Sequence, residues 1–149
     1  MSKQGLVLLP GFCCDQTYWQ AQVDALSEIA ECSCAHYGAL DSIPAMAESV
    51  LRSAPDRFSV AGHSMGGRVA FEIYRQAPDR VERLAVFNTG TAARPAGPIG
   101  QQEESNRRRL LGVARAEGMR AMALQWVQGM VAPPRLQDRR LIETIVAMF

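Results

Sequence analysis

The run Gly62-His63-Ser64-Met65-Gly66-Gly67 places a hydroxyl among three glycines at a spacing suited to nucleophilic chemistry. It follows the apolar stretch Phe58-Ser59-Val60-Ala61 and opens a helical pattern from Met65 to Gln76. A strand turning sharply into a helix lifts the Ser64 oxygen above the strand ends and presents it as a nucleophile. Such a turn strains the serine backbone by about 1–3 kcal/mol. Chain passes close on both sides of it. A Cβ two residues before or after the serine would clash, so Gly62 and Gly66 are required there. Gly67 is expected to allow close packing of helix on strand. The helix aims its unpaired N–H groups and positive dipole end at the reacting carbon. The Met65 N–H is therefore an expected oxyanion donor. A second is expected from the loop Pro10-Gly11-Phe12, with the Phe12 N–H the first candidate and Cys13 the next.

A serine nucleophile ordinarily works with a histidine base and a carboxylate that orients it. The chain has two histidines, His36 and His63. Successive side chains diverge at the turn, so His63 reads as a packing residue that does not reach the Ser64 oxygen. His36 falls at a strand end on the active edge. It reads as a half-exposed loop histidine, with a catalytic base as the alternative. Asn88 closes the last strand, but an amide does not stabilise an imidazolium as a carboxylate does. Asp41 belongs to the turn before a helix.

The elements that position these residues follow from apolar patterning. Gly5-Leu6-Val7-Leu8-Leu9 is apolar without alternation, as in a strand buried on both faces, and Pro10-Gly11 breaks it. Asp15 or Thr17 can cap a helix with the stripe Trp19, Val23, Leu26 and Ala30. Cys32 to Tyr37 reads as a second strand. Ser42 caps a helix whose face is Ile43, Met46, Ala47, Val50 and Leu51. Phe58 to Ala61 is the third strand, and Val81 to Phe87 the fourth. Alternating strands and helices predict an α/β fold, with a parallel doubly wound sheet of about four strands and helices on both faces. Its strand C-terminal ends then carry Pro10 to Cys14, His63 to Gly66 and Asn88 to Thr91 on one edge, where ligands bind. Residues 92–100 read as a loop. Helices are expected over about 101–117, 119–129 and from Leu136 onward. The apolar uncapped ending Ile145-Val146-Ala147-Met148-Phe149 reads as a chain cut within its fold.

Composition narrows the classes. Hydrophobic residues make up 48% and charged residues 21%, within the range of a water-soluble domain with a core. A net charge of +1 gives no electrostatic case for nucleic acid. No apolar run is long enough for a bilayer, which excludes a membrane partner. A strand-like run starting at Gly5 leaves no room for a signal peptide, so the expected compartment is the cytoplasm. Cys13, Cys14, Cys32 and Cys34 are then free thiols, and their spacing does not suit a zinc site. No metal and no cofactor is expected.

With these residues in hand, the chain resembles the α/β-hydrolase fold family, in its branch of small carboxylesterases and lactonases. The resemblance rests on Gly62 to Gly67, on Leu8-Leu9-Pro10-Gly11-Phe12, on Asp41-Ser42-Ile43 with Met46-Ala47, and on Ala77-Pro78-Asp79-Arg80-Val81. It covers most of residues 5–91. It implies that residues 1–91 are the N-terminal part of the core. Residues 92–149 would be a helical cap or lid of the same domain. It also implies a sheet of up to eight strands, with an aspartate after the seventh and a histidine after the eighth, and neither has a counterpart here. Trp126 with Met119, Met122 and Met130 would line an acyl pocket or fill core, and Cys13 would border it. Arg107-Arg108-Arg109 reads as a solvated helix face rather than an anion site.

The expected function is a serine hydrolase of a small carboxylic ester or lactone, working through an acyl-enzyme and incomplete without the missing Asp and His. Two alternatives stand beside it. One is a catalytically inactive relative kept for binding or scaffolding. The other is an active enzyme that borrows its base from His36 or a partner chain. Oligomeric state is not readable from the sequence.

Overall fold

β1 (Gln4–Leu9) is the centre of the sheet because its second half is apolar on both faces, and Val7, Leu8 and Leu9 are almost fully buried. In the computed structural model, which describes residues 3–149, it pairs in parallel with β2 (Ala30–Cys34) on one side and β3 (Phe58–His63) on the other. β4 (Val81–Phe87) pairs in parallel with β3, which gives the order β2-β1-β3-β4. The chain therefore runs outward from β1 to β2, then returns across β1 to build β3 and β4.

That reversal decides which face each helix covers. A parallel crossover is right-handed, so reversing the direction of travel moves the connecting helix to the opposite face. α1 (Gln20–Leu26) follows a 3-10 turn at Gln16–Trp19 and lies on one face, where Trp19 and Val23 meet Leu8, Ala61, Cys32 and Cys34. α2 (Ile43–Ser53) and α3 (Met65–Gln76) lie on the other. There Met46, Ala47, Val50, Val69, Ala70 and Ile73 pack with Val7, Leu9, Phe58 and Val60. Each large aliphatic side chain buried in this cluster contributes about 1.5–3 kcal/mol.

The sequence signals act at the expected places with shifted limits. Asp15 is the cap, its Oδ1 accepting from the Thr17 N–H at 2.8 Å, and it starts the 3-10 turn rather than a full helix. Ser42 caps α2, with its Oγ accepting from the Ala45 N–H. Ala30 does not extend the α1 stripe. It begins β2, whose five residues match Gln4–Leu8 of β1 one for one. β2 stops at Cys34 rather than Tyr37, because His36 to Leu40 turn back on themselves: His36 Nδ1 accepts from the Gly38 N–H and the Tyr37 carbonyl from the Leu40 N–H. Cys32 and Cys34 share a sheet face, and all four cysteines are free.

The chain divides into two compact units, Met1–Thr91 and Ala92–Phe149. The second is helical. α4 (Pro98–Glu117) starts three residues earlier than expected, with Pro98 at its first position. α5 (Met119–Trp126) gives way to a 3-10 turn at Val127–Gly129, and α6 (Arg139–Ala147) is capped by Asp138. Met122 is buried, whereas Met119 and Met130 are exposed. Arg107 and Arg108 pair with Glu103 and Glu104 one turn back, and Arg109 donates to Gln125, so this triplet is a solvated face. No helix among the described residues is long and apolar enough to cross a membrane.

One stabilising contact was not evident in the sequence. The Arg80 guanidinium donates to the carbonyls of Leu51, Ala54, Pro55 and Asp56 and sits 5.7 Å from the centre of the Phe58 ring. It satisfies the orphan carbonyls at the end of α2 and ties them to the start of β4. Arg80→Ala is expected to cost about 2 kcal/mol, and Arg80→Lys to recover little, since an ammonium cannot span four acceptors. Urea unfolding of the three proteins checks this.

Candidate active site

The reversal of strand order falls between β1 and β3, so their two following loops leave the sheet side by side. Ser64 stands at the end of β3, the residue before α3 begins. Its backbone has φ 53° and ψ −115°, outside the regions an L-residue ordinarily occupies. It is neither in a helix nor turned away from the β1 loop: a Cβ on Gly11 would lie 3.4 Å from the Ser64 Cβ. The residue is half-buried.

Three glycines permit this approach, for three different reasons. A Cβ on Gly62 would meet the Gly66 carbonyl oxygen at 2.3 Å, inside the first turn of α3. A Cβ on Gly66 would meet the Leu9 and Pro10 carbonyl oxygens at 2.1 and 2.6 Å. Bare backbone here brings the start of α3 against the end of β1. Gly67 differs from expectation. Its space is taken by the Thr89 side chain, 2.7 Å from where a Cβ would be, so it makes room for the loop after β4.

That loop holds the strained residue at both ends. The Ser64 N–H donates to the Phe87 carbonyl at 2.9 Å. Asn88 then takes a left-handed conformation, φ 48°, which asparagine tolerates better than most residues. This returns Thr89 toward the turn, and its hydroxyl donates to the Ser64 carbonyl at 2.5 Å. The same carbonyl accepts from the Gly67 N–H at 3.1 Å. Thr89 was missed in the sequence, since no local pattern ties residue 89 to residue 64.

The β1 loop is also fixed. Gly11 accepts from the Cys14 N–H at 3.1 Å, Cys13 has φ 54°, and the Tyr37 hydroxyl donates to the Pro10 carbonyl at 3.4 Å. Phe12, the expected second oxyanion donor, lies on this turn with its side chain about half exposed. Burial pushes the Cys13 thiol up to about 11, and the neighbouring Cys14 adds to the shift. Cys13 is thus protonated at neutral pH. Burial likewise raises Cys14, Cys34 and Tyr37, and the charge of Asp15 adds to the shift at both cysteines.

His63 is a packing residue, as its position suggests. Its ring stacks on Tyr18 with centroids 4.4 Å apart, and its buried Nδ1 has no hydrogen-bond partner. Tyr18 is the partner that sequence reading did not find. His36 is exposed at the end of β2, and β1 separates that strand from β3. Its Nδ1 is engaged by its own turn. Asp41 is exposed in the turn before α2. Trp126 belongs to the second unit, half-buried, with its ring 6.4 Å from that of Phe149. Among the described residues no cluster of three or more His, Cys, Asp or Glu side chains could hold a metal ion.

Comparison with known proteins agrees with this geometry. The Esterase family matches residues 39–141, which include the turn, α3 and most of the helical unit. The chain belongs to the esterase family. Its four parallel strands and flanking helices are those of the α/β-hydrolase fold. Among solved structures, a thermophilic esterase from Thermogutta terrifontis shares 26% identity at a TM-score of 0.74, covering 99% of this chain and 58% of that one. An enol-lactonase from Burkholderia xenovorans LB400 shares 27% at 0.77, covering 100% and 60%. A pimeloyl-[acyl-carrier protein] methyl ester esterase from Nitrosomonas europaea is 35% identical over 89 residues, 54% of this esterase-family chain and 35% of the relative. The chain thus spans about a third of that relative and less than two thirds of the solved ones.

Two substitutions test the steric reading. Gly66→Ala drives a methyl into backbone carbonyls and is expected to cost more than about 3 kcal/mol. Gly112→Ala, exposed within α4 with open space at its Cβ, is expected to gain about 0.5–1 kcal/mol. Thermal melts followed by circular dichroism compare them. A third test concerns His63, whose pKa burial holds below the ordinary histidine value. The unfolded chain then takes up a proton at a higher pH than the folded one. Stability is full above the unfolded value of about 6.5 and falls as pH drops through the folded pKa. Denaturant unfolding between about pH 7 and 5.5 is expected to show this loss in the wild type, and a flatter profile in His63→Gln.

Proposed function

We propose that this protein is a hydrolase of small carboxylic esters or lactones in which the Ser64 hydroxyl attacks the carbonyl carbon. The carrying observation is the Ser64 backbone at φ 53° and ψ −115°, held at the end of β3 against the loop that follows β1. Strain of this kind persists only where surroundings enforce it. Attack converts the planar carbonyl into a tetrahedral centre with a negative oxygen. The Met65 N–H, at the first position of α3, has no partner within the helix and lies at its positive end. The Phe12 N–H on the facing loop is the second donor. Collapse of the tetrahedral centre expels the alcohol and leaves an acyl-serine, which water then cleaves. Esters and lactones share this chemistry. A methyl ester and an enol-lactone are the substrates named for two of the relatives.

The proton of the Ser64 hydroxyl needs an acceptor. His63 is committed to Tyr18, and His36 lies beyond β1 with its Nδ1 engaged. This favours a second reading, in which the chain by itself retains the nucleophile turn and an ester-binding edge without turnover.

A fluorophosphonate probe separates the readings. Covalent labelling on Ser64 that disappears in Ser64→Ala is the expected result, read by intact-mass and peptide mass spectrometry. Labelling with hydrolysis of p-nitrophenyl acetate supports turnover, and labelling without it supports the second reading. A folded protein that takes no label refutes Ser64 as an activated nucleophile and leaves only the inactive, binding form of the second reading.

A further inference from the structure

We propose that Thr89 is a positioning residue whose hydroxyl fixes the peptide group carrying the oxyanion donor. The inference rests on the reading of Ser64 as nucleophile and of the Met65 N–H as donor. The Ser64 carbonyl and the Met65 N–H belong to one planar trans peptide, so they point in opposite directions. Whatever holds the carbonyl also aims the N–H. Two groups hold it: the Thr89 hydroxyl at 2.5 Å and the Gly67 N–H at 3.1 Å.

Gly67 belongs to the same helical turn as Met65 and moves with it. Thr89 comes from outside the turn. It stands two residues beyond β4, and β4 is anchored along the whole of β3 from Phe58 to His63. The hydroxyl therefore refers the donor's direction to the sheet and not to the helix end. The neighbouring Phe87 carbonyl holds the Ser64 N–H in the same way, so the serine is clamped from both sides by one three-residue stretch. Left-handed Asn88 between them makes that possible.

A second consequence is electronic. A hydrogen bond accepted by an amide oxygen draws charge from nitrogen and strengthens the N–H as a donor. A hydroxyl at 2.5 Å polarises the Ser64–Met65 peptide toward the species an oxyanion requires. The Thr89 methyl has a separate task, filling the space that the absent Gly67 side chain leaves.

Two substitutions separate these tasks. Thr89→Ser and Thr89→Ala both remove the methyl, and they differ in the hydroxyl alone. Thr89→Ser is expected to label with a fluorophosphonate within about twofold of the wild-type rate. Thr89→Ala is expected to slow about tenfold, a part of the roughly 10²–10³ that an oxyanion donor contributes. The amide nitrogen resonance of Met65 gives a readout that does not depend on activity. It should move upfield in Thr89→Ala and stay near its wild-type position in Thr89→Ser, because a hydrogen bond at a carbonyl deshields the following nitrogen. Equal labelling rates or equal Met65 shifts in the two variants would overturn the role of Thr89 while leaving Ser64 in place. A folded wild type that takes no label would instead remove the nucleophile reading, and the role of Thr89 with it.

Discussion

The constraint on which the rest of this structure depends is the enforced conformation of one residue. Ser64 occupies backbone space that costs about 1–3 kcal/mol, and a free chain would relax out of it. Here it cannot relax. Its N–H is bound by the Phe87 carbonyl, its carbonyl by Thr89 and Gly67, and its flanking glycines are pressed against backbone that a Cβ would strike. Most of that support comes from the sheet and the residues that follow β4. Ten buried side chains on one face and a smaller cluster around Trp19 on the other keep β1, β3 and β4 in register.

Topology explains why two loops meet at this point. β2 and β3 flank β1 because the chain reverses direction after its second strand. The loops after β1 and β3 then emerge next to one another, with no crossover between them to fill the gap. Gly66 against the carbonyls of Leu9 and Pro10 is the physical expression of that meeting. The groups nearby are adjusted to be quiet: neutral thiols at Cys13 and Cys14, and a stacked histidine whose burial disfavours its charged form. The one carboxylate felt by these thiols is Asp15, whose charge adds to the upward shift of Cys14 and Cys34.

Much of this was legible before the fold was known, because the relevant rules are local. An unbroken apolar run marks a strand buried on both faces, and the runs at Gly5–Leu9 and Phe58–Ala61 became β1 and β3. Glycines at fixed offsets from a serine mark a close backbone approach, and Gly62 and Gly66 both make one. The errors were local too. Ala30 fitted a helical stripe by spacing, but pairing with Gln4 placed it in β2. Strand pairing is a contact over many residues of sequence and outweighs helical periodicity in a short segment.

The sequence by itself determined the alternation of strands and helices, the sharp turn at Ser64 and the need for bare backbone around it, since each follows from side-chain volume and hydropathy among near neighbours. Only the tertiary structure decided who supports that turn. Thr89, Asn88 and Phe87 lie more than twenty residues from Ser64 along the chain, and Arg80 lies as far from the helix end it closes. Tyr18 meets His63 across the same kind of gap. Such partners are set by strand order and register, quantities that exist only once the sheet has formed, and so no window of sequence carries them.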